Sequence, residues 1–310
     1  MTQPFIRVTT GEFQGESVDT VSVQNPDSKM TVDEIADSLV RRIAGLDGAI
    51  VAFSAGVDST VVATAARKGL GREKFLAVTA VSPSLPTGEQ ELAAQIAIEL
   101  DFRHVFVQSG EQNDSRYIRN SGDRCYWCKS NLYQTIRQTI DEPWPILNGT
   151  NIDDLGDYRP GLKAASEFNV ISPLAELSIT KLDVRDIARR WGLSVAEKPA
   201  GPCLASRLAN GVEVTPQRLA SIDGAEALFR NAGFETVRVR LHAGEIARIE
   251  VPINQVIVVC QWLVSNSIAD RIKALGFRFV TLDCSGFQSG NLNQLIPSDQ
   301  LFSIGQKSNS

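Results

Sequence analysis

The sequence predicts an α/β protein: a Rossmann-like domain with a mostly parallel sheet, then a smaller α+β domain at the C-terminal end. Three observations point there. Short apolar runs alternate with helical patterns up to about residue 195. The first run, AIVAF (49–53), passes into a turn of small residues and then an Ala- and Val-rich helix. Beyond residue 196 the order changes to helix, two strands, two helices and a last strand. Strands separated by helices form βαβ units with parallel pairing, and short, wholly apolar strands suit a sheet covered on both faces.

Each element has its own signal. Thr31 and Glu34 fit a capping box, and Ile35, Leu39 and Ile43 repeat on one face of the helix that follows. Residues 49–53 read as a buried strand, 57–69 as a helix and 75–81 (FLAVTAV) as a strand. Thr87 with Gln90 opens a helix running to about Leu100, and HVFVQ (104–108) is the next strand. A helix over 126–140 leads to a strand at 145–150 that ends in turn residues, and Thr180 N-caps a helix over 181–191. Pro199, Gly201 and Pro202 then interrupt all periodicity, which puts a domain boundary just before them. The remainder reads as helix 216–232, strands 236–241 and 246–251, helices 252–265 and 267–275, and strand 277–282. The expected organisation is a flexible extension over 1–29, domains over 30–195 and 196–295, and a flexible tail over 296–310.

Composition narrows the function classes. The chain has 310 residues, 43% of them hydrophobic and 22% charged, which excludes collagen, coiled coil and wholesale disorder. Thirty-one Lys and Arg against 36 Asp and Glu give a net charge of −5, so long-range attraction to nucleic acid or anionic membrane is not its main business. Among all 310 residues no run of 18 apolar residues spans a bilayer, and no apolar segment follows a basic start at the N-terminus. Five cysteines, an odd and sparse set, fit thiols in a reducing cytoplasm.

The turn after the first strand is the most informative segment. Ser54, Ala55 and Gly56 are small, Asp58 and Ser59 follow, and a helix starts. Such a turn sets backbone N–H groups and two hydroxyls at a helix N-terminus, which is an anion cradle. It lacks the G-x-x-x-x-G-K of a Walker loop and the G-x-G-x-x-G of a dinucleotide fingerprint. A turn that only lets a helix pack on a sheet remains the alternative. The loop resembles the S-G-G-x-D-S loop of PP-loop ATP pyrophosphatases, with Ala55 in place of the first glycine. That substitution is tolerable at negative φ and strained at positive φ.

Cys125 and Cys128 form a C-x-x-C in RCYWCKSNLY, and Cys203 follows about 75 residues on in GPCLASRL. Cys260 lies in the apolar run VIVVC and reads as core, and Cys284 is ambiguous. A redox pair, part of a metal site and unpaired structural cysteines all stay open from spacing alone. The two histidines, His104 and His242, lack finger spacing. Three thiolates with one open position would suit a [4Fe–4S] cluster. Arg124, Lys129 and Arg207 flank the cysteines and would favour thiolate.

Taken together the motifs resemble the LarE-type sulfur transferases: FSAGVDS, RCYWCK, NGTNIDDLGDYRPG, SPLAELSITK, KPAGPCLASR, RVRLH and ARIEV, spread over roughly residues 30–290. The resemblance implies an enzyme that adenylates the carboxylates of pyridinium-3,5-biscarboxylic acid mononucleotide with ATP and Mg²⁺, releasing pyrophosphate. Sulfur then displaces AMP, giving thiocarboxylates for a nickel-pincer cofactor. It implies ATP binding by Ser54, Ala55, Gly56, Asp58 and Ser59. It implies a catalytic and iron–sulfur role for Cys125, Cys128 and Cys203, and a homo-oligomer, a hexamer in the family. Arg207 could bind a substrate carboxylate or phosphate, and Arg238, Arg240 and Glu226 the mononucleotide's phosphate. Asn151, Asp153, Asp154 and Asp157 read equally as turn caps or as nucleotide or metal ligands. The rival readings are a tRNA thiolase, an ammonia-using synthetase that would need none of the three cysteines, and a nucleotide sensor without turnover.

Overall fold

The computed structural model describes residues 30–156, 160–199 and 201–288. Their elements are α1 (Val32–Ala44), β1 (Ala49–Ala52), α2 (Val57–Leu70), β2 (Phe75–Val81), α3 (Glu89–Glu99), β3 (Arg103–Gln108), α4 (Ser115–Arg119), α5 (Arg124–Thr139) and β4 (Ile146–Leu147). There follow α6 (Pro160–Glu167), α7 (Pro173–Glu176), α8 (Lys181–Arg190), α9 (Pro216–Asn231), β5 (Arg238–His242), β6 (Ile246–Glu250), α10 (Val256–Ser265), α11 (Ile268–Ala274) and β7 (Phe279–Leu282).

The first sheet runs β3-β2-β1-β4 and every pairing in it is parallel, as the apolar alternation predicts. One face packs on α1, α2, α3 and α8 through Leu39, Ile43, Phe75, Val184 and Ile187. The other packs on α5 and α6 through Ile50, Val78, Tyr133, Ile136 and Ile146. From β1 the chain moves one way to β2 and β3, and β4 is added on the other side. The carboxyl end of β1 is therefore the switch point, the place where open α/β sheets bind ligands. β4 is only two residues long against the six expected, because Asn148, Gly149 and Thr150 leave the ladder to form a turn.

The second sheet is β5-β6-β7, with β5–β6 antiparallel and β6–β7 parallel. Val239, Leu241, Ala247 and Ile249 form its core face against Ile222, Phe229, Val259 and Ile272 from α9, α10 and α11. The opposite face carries Arg238, Arg240, Arg248 and Glu250, alternating with the core residues as strand period 2 requires. The helix expected over 252–265 is a 3₁₀ turn, Ile253–Gln255, followed by α10. Only Val259 and Leu263 of α10 are buried, so Cys260 is exposed rather than core. An apolar run is silent about which helical face meets the core, and here one narrow stripe does so. Cys284 is exposed as well. No helix among the described residues is long and apolar enough to cross a membrane. The extension over 1–29, Asp157 and the whole tail over 296–310 lie outside the described residues.

Candidate active site

The turn at the switch point is built from backbone and short hydroxyls. Gly56 caps α2 in an extended conformation (φ −83°), whereas Ala55 takes φ +53°. The left-handed residue is thus the alanine, so the strained alternative for that position holds. An L-residue pays about 1–2 kcal/mol there. Ala55 is wholly buried, which keeps the turn from relaxing. Ser59 Oγ donates to the Gly56 carbonyl (3.1 Å) and accepts from Ser54 N–H (3.2 Å), and the Ser54 and Ser59 hydroxyls lie 3.1 Å apart. Thr79 Oγ1 donates to the carbonyl of Phe53 (2.8 Å) and so accepts from His104 Nε2 at 2.8 Å. Burial lowers the pKa of His104 to about 4, which keeps this imidazole neutral.

The turn after β4 closes on this loop. A Cβ at Gly149 would stand 2.8 Å from Ser59 N and 2.9 Å from Asp58 Cβ, so only glycine permits the approach. Asn151 Nδ2 donates to Asp58 Oδ1 (3.0 Å), while Asn151 Oδ1 accepts from the N–H groups of Asp153 and Asp154. Lys181, the first residue of α8, forms a salt bridge with Asp58 Oδ2, and its own N–H donates to Asp153 Oδ2. Lys198 Nζ donates to the Ala55 carbonyl (3.2 Å) and pairs with Glu89 Oε2 (2.6 Å). Two ammonium groups thus stand at an anion cradle. Sequence reasoning assigned neither lysine nor Gly149 to the site, although all three lie in the motifs quoted above. Only tertiary packing brings them to the loop.

The cysteines gather at the same edge of the first sheet. Cys125 and Cys128 lie on the first turns of α5. Cys203 opens the 3₁₀ turn Leu204–Arg207, and Leu204 N–H donates to the carbonyl of Ser84 in the loop after β2 (2.9 Å). Burial opposes the charge of Arg124, but Cys125, Cys203, Tyr117 and Cys128 raise its pKa. Burial likewise opposes Lys129, and Tyr133 with the same three cysteines raises its pKa. All three sulfurs therefore act on two shared cations. The flanking cations were expected to favour thiolate, yet the Cys128 thiol is pushed up to about 12. Burial does this first and the neighbouring Cys203 second, and together they outweigh Lys129. A metal would take the site by displacing that proton. Among the described residues no three His, Cys, Asp or Glu side chains converge on a single-ion position. The donor set, three thiols, fits three of the four ligand positions of a [4Fe–4S] cluster.

Arg207 and Glu226 are 3% and 2% exposed and form a two-point ion pair (3.0 and 3.3 Å). Arg207 Nη1 also donates to the carbonyls of Pro202 (2.5 Å) and Cys203 (3.2 Å). Glu226 further accepts from Val239 N–H (3.1 Å). Both side chains thus engage protein partners, and the pair holds the backbone of Cys203. Arg240 pairs with the fully buried Glu250 (2.8 Å) and reaches the Ser206 carbonyl (3.2 Å). Arg238 faces the same side of β5, and burial, then Arg207, lowers its pKa to about 10. His242 Nε2 and Arg248 Nε, on this face too, are buried with no hydrogen-bond partner.

A parallel sheet with a Ser-x-Gly-x-Asp-Ser turn on a helix N-terminus at the switch point defines a PP-loop enzyme of the ATP-using class. The family described as NAD synthase matches residues 30–134, the part of the chain that holds this loop and the C-x-x-C. The chain is 36% identical over 267 residues to the pyridinium-3,5-bisthiocarboxylic acid mononucleotide synthase of Lactiplantibacillus plantarum, covering 85% of this chain and 95% of that one. It is 42% identical over 254 residues to an uncharacterised protein of Synechocystis, covering 81% and 94%. The chain belongs to the family of that synthase, the LarE-type ATP-dependent sulfur transferases.

Proposed function

We propose that the chain adenylates the carboxylates of pyridinium-3,5-biscarboxylic acid mononucleotide with ATP, releases pyrophosphate, and replaces AMP with sulfur to give thiocarboxylates for a nickel-pincer cofactor. What carries the reading is that Cys203, about 75 residues after the C-x-x-C, packs beside Cys128 against the same core and shares Arg124 and Lys129 with Cys125 and Cys128, beside a PP-loop. An ammonia-using synthetase would have no use for that grouping, and the NAD synthase match stops short of Cys203.

ATP would enter as its Mg²⁺ complex. The N–H groups at the start of α2, with Ser54 and Ser59, would bind its phosphates, and Lys181 and Lys198 would offset charge on the departing pyrophosphate. Catalysis by these residues is positioning and charge stabilisation. Arg238, with Arg240 held beside it by Glu250, would attract the mononucleotide's phosphate. Cys125, Cys128 and Cys203 would hold a [4Fe–4S] cluster, which when bound supplies the sulfur. Arg207 and Glu226 fix the backbone on which Cys203 is presented. The reaction is placed in the cytoplasm, where thiols stay reduced, and in a homo-oligomer.

The test is anaerobic purification with iron and acid-labile sulfide measured per chain. About four of each is expected for one cluster. Protein that stays iron-free after reconstitution would reject the cluster and leave Cys203 as a single-use sulfur source. Mass spectrometry of the nucleotide product then shows whether sulfur has replaced oxygen.

A further inference from the structure

We propose that Lys198 is a positioning residue that ties the ATP loop to the segment carrying Cys203, so that nucleotide in the loop orders the sulfur-bearing chain. This rests on the reading above, that residues 54–59 bind the triphosphate.

Lys198 is held from both sides. Its side chain reaches the loop, 3.2 Å from the Ala55 carbonyl, and ends on Glu89 of α3 at 2.6 Å. Its backbone carbonyl accepts from Arg185 Nη2 (3.1 Å), whose Nη1 holds the Ala196 carbonyl (2.6 Å). Five residues on stands Cys203. The far end of the same segment is pinned by Leu204 N–H on Ser84 and by Arg207 on the carbonyls of Pro202 and Cys203. Lys198 and the stretch 202–204 are therefore two anchored points at the carboxyl edge of the first sheet, and the anchor of Lys198 is the ATP loop itself.

An ammonium suits position 198. It has three donors and can serve a carboxylate and a carbonyl at once. The Lys198 and Glu89 side chains are 19% and 24% exposed, so the pair is little screened by solvent. The carbonyl it holds belongs to the left-handed Ala55, the strained residue of the turn. Polyphosphate in the cradle adds negative charge beside this ammonium. That strengthens the hold of Lys198 on the loop, and the segment on the other side of Lys198 is ordered with it.

The experiment is hydrogen–deuterium exchange on the full-length protein as purified, with and without a saturating non-hydrolysable ATP analogue whose binding is followed by calorimetry. In the wild type the analogue should slow exchange of peptides spanning 201–208 at least threefold. In Lys198→Met that protection should disappear at analogue concentrations that saturate the variant, and Lys198→Arg should restore part of it. A purely structural lysine would raise basal exchange in Lys198→Met and leave the protection by nucleotide unchanged, which would overturn the tie. Wild-type protein that binds the analogue without protecting 201–208 would overturn it too. Wild-type protein that binds no analogue would overturn the reading of the loop, and the tie with it.

Discussion

The ATP loop and the Cys203 segment meet at one sheet edge but are built by opposite means. The loop is local: Ser54, Gly56 and Ser59 lie within six residues and bond one another. The Cys203 segment is assembled from a distance. Its 3₁₀ turn is held by Ser84 from the loop after β2, and Arg207 within it by Glu226 of α9. A local turn needs little support and can present bare N–H groups to a ligand. A thiol on an irregular, proline-rich stretch has no ladder to hold it, so buried charge does the holding.

The largest effect that could break this contrast is chemical. Cys203→Ala should abolish sulfur incorporation, by more than a hundredfold, while calorimetric ATP affinity stays within twofold. Equal loss of both would mean that Cys203 supports the loop itself and that the two regions are one structural unit.

Next in size is the buried pair. Arg207→Met leaves Glu226 charged at 2% exposure, with only Val239 N–H (3.1 Å) and the longer contact to Arg230 (3.4 Å) to hold it. Breaking such a pair costs about 3–5 kcal/mol. The urea midpoint should therefore fall sharply, and sulfur transfer should fall with Cys203 misplaced. If Arg207 binds substrate instead, the midpoint would hold and KM for the mononucleotide alone would rise.

The same contrast explains what the sequence made legible. The parallel sheet, the ATP loop and Thr180 as N-cap of α8 were readable, because periodicity, a six-residue turn and a capping box are local signals. Cys203 was singled out through family motifs, and its position beside Cys128 is a tertiary fact. The pairing of Arg207 with Glu226 was not readable. An arginine four residues from a reactive cysteine looks the same whether it faces substrate or a glutamate 19 residues on. Lys181 and Lys198 were missed for the same reason: their partners, Asp58 and Glu89, are more than 100 residues away in the chain. Cys260 misled because burial belongs to a helix face and not to a run of valines.

A smaller effect comes from beneath the loop. His104 is protonated near pH 4 in the folded state against about 6.5 unfolded, so between those values the unfolded chain holds the extra proton. Stability should then decline as pH falls from 6.5 towards 4. Denaturant midpoints at pH 7.5 and 4.5 for wild type and His104→Gln should show a smaller decline in the variant. An equal decline would place the acid sensitivity elsewhere.

The smallest effect sharpens the comparison most directly. Ala55 sits at φ +53°, where glycine has no Cβ penalty. Ala55→Gly removes that strain but gives the unfolded chain more freedom, and the two terms nearly offset. A net gain of about 0.5 kcal/mol in unfolding free energy is expected. ATP affinity should rise by no more than about twofold, since the N–H groups of the cradle keep their directions. A loss of stability would mean that the buried Ala55 methyl group packs the turn better than its backbone strains it. The loop would then be held by side-chain packing, like the Cys203 segment, and not by backbone alone.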